Sequence, residues 1–379
     1  MDFVFWQNMP THHQASWIAA LAAAENCAVR VTLDTGIPEW RRKIGWEAPD
    51  YGAAVVEVGL TPEKANRIIS DAGPNAVHVF SGLGAYASIH RGLRQCAREA
   101  RHLGVMSESG ATGGVKGLGA VSLGYLRRLR YAGGIEFILA IGEGGPPWFE
   151  RLGFRSERVF EFAYFPPAPS SSEKANEGLW PPDAVRLLFI GRLIHLKGVD
   201  LVIRALAESR RRDWCLSLIG SGGEEASLRG LARQLGISGQ LQFCGSMRNS
   251  EAMNAVSGAD VLLLPSRLPD GYGAVVNEAL LRGVPVICSS QCGARQVVKT
   301  HSEFGVVFES TSGLRSALEE LIAKGRRTEE SARSIRDLAQ CLTPRAGAGY
   351  FLDIIRHVYD GAPRPSAPWR VGQSCVANS

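Results

Sequence analysis

The chain has 379 residues, of which 45% are hydrophobic and 21% are charged, and its formal net charge at pH 7 is +5. This length exceeds what one ordinary hydrophobic core serves, so two globular domains are expected. No apolar run reaches the roughly 18 residues that a membrane-spanning helix needs, no secretory signal is visible, and so small a positive charge does not by itself indicate a nucleic-acid partner.

Eight cysteines are scattered along the chain, and none of them forms a C-x-x-C pair. Cys288 and Cys292 lack the second pair that a four-ligand zinc site requires. Scattered cysteines of this kind are typical of reduced thiols, so the sequence predicts a cytoplasmic protein without structural disulfides.

The first half of the chain alternates short apolar runs with longer amphipathic segments. Thr61 and Pro62 form a helix start, with threonine as the N-cap and proline at the first helical position. Strands that alternate with helices predict βαβ units, and therefore an α/β domain with a parallel sheet. The predicted strands span residues 3–6, 28–33, 53–58, 76–80, 104–107, 137–141 and 159–162; the predicted helices span residues 14–24, 62–72 and 86–103, a short segment around 148 and, after a glycine-rich stretch to 119, a basic segment to 130.

A proline-rich segment, residues 166–183, interrupts this rhythm with five prolines and no apolar period. It is interpreted as an interdomain linker. A second α/β pattern follows it, and the chain ends in a Pro-rich, polar tail from residue 361 that is predicted to be unstructured. The predicted strands of this half span residues 185–190, 214–219, 241–243, 261–264, 284–288 and 305–308; the predicted helices span residues 199–206, 224–235, 274–282, 314–324 and 350–359.

The segment DGYGAVVNE, residues 270–278, places two carboxylates eight positions apart across a glycine-rich turn. A predicted strand precedes it and a helix that ends at Gly283 follows it, so the loop lies at the carboxyl end of a strand, where ligands bind. The helix N–H groups attract phosphate, while Asp270 and Glu278 can accept hydrogen bonds from hydroxyls. The segment therefore indicates a sugar-nucleotide site. The alternative is that its glycines are ordinary turn residues and its acids are solvated.

Three further loops follow predicted strands of the second half. Arg192 and Lys197 lie near the two ends of the loop GRLIHLKG. Arginine can bind phosphate through bidentate hydrogen bonds, and lysine binds it as a point charge. The alternative is an ordinary basic surface loop. Gly220 begins a G-x-G run, but Glu225 stands where a dinucleotide fingerprint needs its third glycine. Gly220 is thus expected in a tight turn near the nucleotide, and Gly245 where a base approaches the backbone.

Basic residues cluster between residues 84 and 131, a segment that contains eight basic residues and only two acidic ones. Four arginines of this cluster follow the spacing i, i+3, i+7, i+10, which places them on one helical face. Each basic residue near an anionic membrane contributes about 1 kcal/mol, so the cluster predicts weak, reversible contact with anionic lipid, unless it is an ordinary solvated face. The predicted contact residues are Arg91, Arg94, Arg98, Arg101, Arg127, Arg128 and Arg130.

Together these motifs resemble the retaining GT-B glycosyltransferases of family 4, whose members carry an E-x7-E motif at the positions of Asp270 and Glu278. The resemblance covers nearly the whole chain and is strongest over residues 185–308. It implies an α/β protein with two Rossmann-like α/β/α domains facing across a cleft. The implied parts are an N-terminal acceptor-binding domain (1–165), a linker (166–183), a C-terminal nucleotide-sugar-binding domain (184–345), a helix packing back toward the N-terminal domain (346–360) and a flexible tail (361–379).

The resemblance also implies roles for individual residues. Glu278 would bond the ribose hydroxyls and Asp270 the donor sugar, where family members usually have glutamate. Arg192 and Lys197 would hold the diphosphate and stabilise the departing nucleotide. The predicted donor-binding residues are Gly191, Arg192, Lys197, Gly220, Gly245, Asp270, Gly271, Tyr272, Gly273, Ala274, Val275 and Glu278.

The acceptor side is expected in the N-terminal half. His12 and His13 lie in the loop after the first strand, and Ser81 lies in a second such loop. Glu108 stands where family members often place an active-site histidine. The predicted catalytic residues are therefore Arg192, Lys197, Asp270 and Glu108.

The implied reaction is sugar transfer from a nucleoside-diphosphate donor to a glycan or lipid-linked acceptor with retention, in cell-surface polysaccharide synthesis. No metal motif stands in a suitable loop, so neither a metal nor a cofactor is expected. The enzyme would be cytoplasmic and peripheral at the inner face of the membrane. The alternatives are a non-catalytic nucleotide-sugar-binding protein and a sugar-nucleotide epimerase of the same fold; a nicotinamide oxidoreductase is disfavoured because neither half has a full G-x-G-x-x-G.

Overall fold

The computed structural model of the chain describes residues 1–43, 46–84, 86–110, 114–131, 133–170 and 173–371. These residues form two compact units, each built on its own parallel sheet. The first unit comprises most of residues 1–167 together with the chain from 342 onward, and the second comprises mainly residues 168–341. No helix in the described ranges is long and apolar enough to cross a bilayer.

The first unit contains a seven-stranded sheet in which every pair of neighbours is parallel, in the order β3-β2-β1-β4-β5-β6-β7. Its strands are β1 Asp2–Gln7, β2 Ala28–Leu33, β3 Val55–Val58, β4 Val77–Ser81, β5 His102–Glu108, β6 Ile135–Ile141 and β7 Val159–Phe162. Its first six helices are α1 His12–Ala22, α2 Glu39–Lys43, α3 Pro62–Asp71, α4 Ala87–Arg98, α5 Gly114–Tyr131 and α6 Gly145–Arg151. The predicted α3 cap forms, since the Thr61 side chain accepts from the Lys64 N–H.

Helix α4 ends earlier than predicted. It stops at Arg98, Ala100 adopts a left-handed φ of 50°, and the chain turns directly into β5. A left-handed residue ends the helical path, so the apolar residues that follow serve the strand instead. Arg101 consequently leaves the α4 face and pairs with Glu99. The prediction that Arg101 shares a helical face with the other α4 arginines is wrong.

The C-terminal residues pack within the first unit. Helix α14 (Pro344–Asp360) places the Phe351 ring 5.2 Å from Phe3 and 5.4 Å from Trp17, measured between ring centroids. Beyond this helix, Trp369 is 1% exposed and Arg370 forms an ion pair with Glu161. The prediction of an unstructured tail is therefore wrong as far as residue 371, and residues 372–379 lie outside the described ranges.

The second unit contains a six-stranded parallel sheet in the order β10-β9-β8-β11-β12-β13. Its strands are β8 Val185–Ile190, β9 Trp214–Ile219, β10 Leu241–Gly245, β11 Val261–Leu264, β12 Val286–Ser289 and β13 Gly305–Phe308. Its helices are α7 Val199–Ala207, α8 Glu225–Gln234, α9 Asn249–Gly258, α10 Val275–Leu281, α11 Arg295–Val298, α12 Thr311–Lys324 and α13 Glu329–Leu338. Helices α9, α11 and α13 were not predicted. Helix α13, for example, buries only Ala332 and Ile335, and most of its other residues are polar or charged.

The segment predicted as a linker packs onto the second unit from residue 173 onward. The Trp180 indole is buried and donates to the Leu187 carbonyl at 3.2 Å, and the Asn176 N–H donates to the Asn254 carbonyl at 2.9 Å. These contacts hold the segment from residue 173 onward against β8 and α9.

Candidate functional site

The strand order of the second sheet reverses between β8 and β11, because the chain builds outward from β8 first to one side and then to the other. Ligands of open parallel sheets bind at the carboxyl ends of the strands beside such a reversal. The two loops that flank it are residues 191–198 after β8 and residues 265–274 after β11. The sequence-predicted basic loop and carboxylate loop therefore meet at this point of the sheet.

Lys197 and Asp270 form an ion pair across these two loops. The Lys197 Nζ atom lies 2.5 Å from Asp270 Oδ2, and the two side chains are only 15% and 12% exposed. The Ser266 hydroxyl donates to the same carboxylate oxygen, also at 2.5 Å. Ser266 was not predicted, because its contact with Asp270 depends on how the loop folds back after β11. The structure thus brings together a cation, a carboxylate and a hydroxyl.

Close backbone approach holds the two loops in register. Gly198 adopts a left-handed φ of 66°, and a Cβ atom at this position would lie 2.2 Å from the Pro265 carbonyl oxygen. The Arg267 N–H donates to the Leu196 carbonyl at 2.8 Å, and the Arg267 side chain pairs with Asp200. Because glycine alone allows this approach, Gly198 determines how near Lys197 comes to Asp270.

The glycine loop that follows Asp270 is supported from behind by the chain after β12. The Ala294 N–H donates to the Tyr272 carbonyl at 2.7 Å, and the Asp270 N–H donates to the Gln291 carbonyl at 3.2 Å. Tyr272 is 1% exposed and its hydroxyl accepts from Asn277, so its side chain supports the loop from inside the unit. The contact of its backbone with sugar and phosphate stays a prediction.

Helix α10 carries Glu278 at its fourth position and is shorter than predicted, with Ala274 and Arg282 as its caps. Glu278 is 5% exposed. The Arg282 guanidinium donates to the Glu278 carbonyl at 3.0 Å and forms two hydrogen bonds with Glu173, at 2.5 and 2.8 Å. The segment after the domain boundary is thereby attached to the helix that holds Glu278.

Three glycines form the adjoining surface at the carboxyl ends of β8, β9 and β10. The Gly220 N–H donates to the Gly245 carbonyl at 2.7 Å, and a Cβ on Gly220 would lie 2.0 Å from the Gly191 carbonyl oxygen. Arg192 stands exposed beside them. The predicted donor-binding residues Gly191, Gly220 and Gly245 are therefore neighbours at one edge of the sheet.

In the first unit the strand order reverses between β1 and β4, and the predicted acceptor-side residues lie near that point. Ser81 is the last residue of β4 and pairs in register with Met106 of β5. His12 and His13 are the first residues of α1, not loop residues as predicted. Burial, with a smaller contribution from Arg41, lowers the pKa of His13 to about 4, so His13 is neutral at pH 7.

Glu108 lies at the end of β5 and has a partner that the sequence did not indicate. The Tyr164 hydroxyl donates to Glu108 Oε1 at 2.8 Å, and the Tyr164 ring packs on His13 with 5.5 Å between centroids. Tyr164 follows β7 and carries no motif, so only the sheet order reveals it. The structure brings His13, Tyr164 and Glu108 together at the carboxyl edge of the first sheet.

The chain is similar to a known protein family and to several known proteins. Residues 170–339 match the family described as glycosyl transferases group 1. The GDP-mannose-dependent alpha-(1-6)-phosphatidylinositol monomannoside mannosyltransferase of Mycolicibacterium smegmatis is 31% identical over 43% of this chain and 45% of its own length. The GDP-mannose-dependent monoacylated alpha-(1-6)-phosphatidylinositol monomannoside mannosyltransferase of Corynebacterium glutamicum is 26% identical over 79% of this chain and 78% of its own length. The structure of HepE from Anabaena in complex with UDP has a TM-score of 0.69 at 16% identity and covers 94% of this chain and 99% of its own.

Residues 170–339, within the second unit, match the glycosyl transferases group 1 family, and the chain has the GT-B fold with its two parallel α/β sheets. The predicted fold class is confirmed, and the predicted family is supported over the residues of that match. The alignments with the first two curated relatives span 30% and 45% of the lengths of those proteins.

Proposed function

We propose that this protein is a glycosyltransferase that moves a sugar from a nucleoside-diphosphate donor to a glycan or lipid-linked acceptor with retention at the anomeric carbon. The observation that carries the proposal is the contact between Lys197 and Asp270 beside the strand reversal of the second sheet. The loop that contains Asp270 leads directly into α10, which contains Glu278. The family match of this unit, the two mannosyltransferase relatives and the UDP complex of HepE support the proposal.

In the proposed reaction the diphosphate lies against Lys197 and Arg192. Their positive charges stabilise the negative charge that develops on the departing nucleotide, in place of a metal ion or cofactor. Glu278 accepts hydrogen bonds from the ribose, and Asp270 contacts the sugar. Glu108, held by Tyr164 in the first unit, contacts the acceptor side of the reaction.

A thermal-shift panel with UDP, GDP, ADP and NAD⁺, each with and without EDTA, tests the donor site. A ligand present at 100 times its Kd stabilises the protein by about 2.7 kcal/mol. We expect one nucleoside diphosphate to raise the Tm by several degrees, roughly in proportion to that energy, in the presence of EDTA. The shift should disappear in Glu278→Ala and persist in Glu319→Ala, a charge-matched change on the exposed face of α12.

The absence of a shift with every nucleotide would contradict the proposed donor site. A shift that EDTA abolishes would contradict metal independence alone. A wild-type protein that binds the nucleotide but neither transfers the sugar nor slowly hydrolyses the donor would instead be a binding protein.

Gly293→Ala is expected to weaken nucleotide binding indirectly, by displacing the glycine loop that follows Asp270. A Cβ atom on Gly293 would lie 2.2 Å from the Gly271 carbonyl oxygen and 2.9 Å from Tyr272 Cα, so the glycine loop must move. Displacing binding groups by a fraction of an ångström to one ångström costs about tenfold or more in function. Isothermal titration should show at least that loss of nucleotide affinity, whereas Gly239→Ala, where a Cβ meets nothing within 4 Å, should bind like wild type.

For the acceptor we propose a lipid-linked molecule at an anionic membrane surface, which makes the enzyme peripheral at the inner face of the membrane. On α5 the side chains of Leu123, Leu126 and Leu129 are 49%, 62% and 57% exposed, so an apolar stripe of this helix faces solvent. Exposed apolar side chains that accompany basic residues are typical of helices that lie on anionic membranes. Arg91, Arg98 and Arg130 are the exposed predicted contact residues, and Arg94, Arg127 and Arg128 are half-buried.

Liposome flotation tests this surface. We expect the wild-type protein to float with vesicles that contain phosphatidylglycerol and to float less with pure phosphatidylcholine vesicles. The double variant Leu126→Asp/Leu129→Asp should lose flotation, while Val306→Asp, at an exposed apolar position of β13, should retain most of it. Equal binding to both vesicle types would contradict an anionic surface as the partner.

A further inference from the structure

One oxygen of Asp270 receives both of the hydrogen bonds recorded for its carboxylate. Lys197 Nζ and Ser266 Oγ each lie 2.5 Å from Oδ2. Ser266 is 1% exposed, and its own carbonyl accepts from the Ser289 hydroxyl at 2.7 Å, so the serine is fixed in place. Asp270 is therefore a carboxylate held against the lysine that we propose contacts the donor diphosphate.

The Asp270 carboxylate and a diphosphate are both anions, and both would bind the ammonium group of Lys197. An ammonium group is a compact point charge, and a second anion beside it competes for its hydrogens and repels the first anion. The pair is mostly shielded from water, and charges in such surroundings interact more strongly than exposed ones. Binding of the diphosphate must therefore weaken the contact between Asp270 and Lys197.

We infer that Asp270 is an internal competitor of the diphosphate for Lys197 and that this competition promotes release of the product nucleotide. The inference rests on the proposed function. With the sugar nucleotide bound, the sugar hydroxyls supply Asp270 with hydrogen-bond partners that replace Lys197. Once the sugar has been transferred, those partners are gone, and Asp270 returns to Lys197 against the nucleoside diphosphate. The exchange changes only partners of an ion pair, and no covalent bond or proton is involved.

The test compares the Kd values of the free nucleoside diphosphate and of its sugar nucleotide in Asp270→Asn, which removes the charge and keeps the shape. A neighbouring unit charge changes the affinity of a site for another charge by about ten- to thousandfold. We expect the Kd of the diphosphate to fall by about tenfold and product inhibition to strengthen accordingly, with a smaller change for the sugar nucleotide, which loses its contact with Asp270. Asp213→Asn, the same charge change at the exposed residue just before β9, should leave both constants unchanged.

The same comparison in a Lys197→Ala background separates competition from general repulsion. If Asp270 acts through Lys197, Asp270→Asn should improve diphosphate binding much less when Lys197 is absent. An equal improvement in both backgrounds, or no improvement in the wild-type background, would overturn the inference. If Asp270→Asn does not fold, judged by its Tm, Asp270→Ser replaces it. Failure of the wild-type protein to bind any nucleoside diphosphate would instead overturn the proposed function.

Discussion

Lys197→Ala is expected to lower kcat for sugar transfer by about 100- to 1000-fold, the usual effect of removing one preorganised group that stabilises a developing negative charge. Lys197 stands beside the strand reversal of the second sheet, where it is only 15% exposed, so water replaces it poorly. The nucleoside diphosphate should still bind, because Arg192 and Glu278 are unchanged. Steady-state kinetics with the donor identified by the nucleotide panel measures the loss.

Lys324→Ala is the control for this variant, since Lys324 makes a surface pair with Glu320 at which the side chains are 72% and 64% exposed. It should transfer sugar at the wild-type rate. Turnover of Lys197→Ala within a factor of about three of wild type would remove Lys197 from the stabilisation of the leaving group.

Glu173→Ala is expected to destabilise the second unit by about 3–5 kcal/mol, because it leaves the charge of Arg282 buried without its carboxylate. The side chains of Arg282 and Glu173 are 5% and 13% exposed, and two hydrogen bonds join them. Denaturant unfolding measures the loss. Glu208→Ala, which removes the partner of the exposed Arg315, should cost less than about 1 kcal/mol.

The effect of Glu173→Ala should depend on pH in a defined direction. Burial alone would raise the pKa of Glu173, but the hydrogen bonds from Arg282 and Ser257 outweigh burial, and the pKa lies below its usual value. A carboxyl whose pKa is lowered by folding contributes stability that is fully present above its unfolded pKa, about 4.3. This contribution is lost as the pH falls through the folded pKa. The difference between wild type and variant should therefore shrink in acid, and a constant difference would contradict the ion-pair explanation.

Much of the fold could be predicted because parallel strands are buried on both faces. Short, mostly apolar runs bounded by turns predicted β2, β7, β8, β9, β11 and β13 to the residue. The alternation of those runs with helices then predicted two parallel sheets. Helices made mostly of charged and polar residues, such as α13, were not predicted because such sequences are also typical of surface loops; Ala332 and Ile335 are the residues that α13 buries.

The candidate site was predicted as a set of loops but not as a set of contacts. Strand-loop-helix patterns place Lys197 and Asp270 at carboxyl ends of strands, and this follows from local sequence alone. Their contact joins residues 73 positions apart and exists because β8 and β11 are neighbours in the sheet. The bond between Tyr164 and Glu108, 56 positions apart, also depends on the sheet order, which leaves only β6 between β5 and β7.

The two α/β halves and the positions of the charged loops follow from the sequence alone, because they depend on local propensity and period. The folded chain was needed to show that Ser266 shares the Asp270 carboxylate, that Trp369 of the Pro-rich tail is buried, and that the leucines of α5 are exposed. A leucine stripe favours burial equally well against a sheet, a partner or a lipid surface. Which of these three surfaces buries the leucine stripe depends on how the rest of the chain packs around α5.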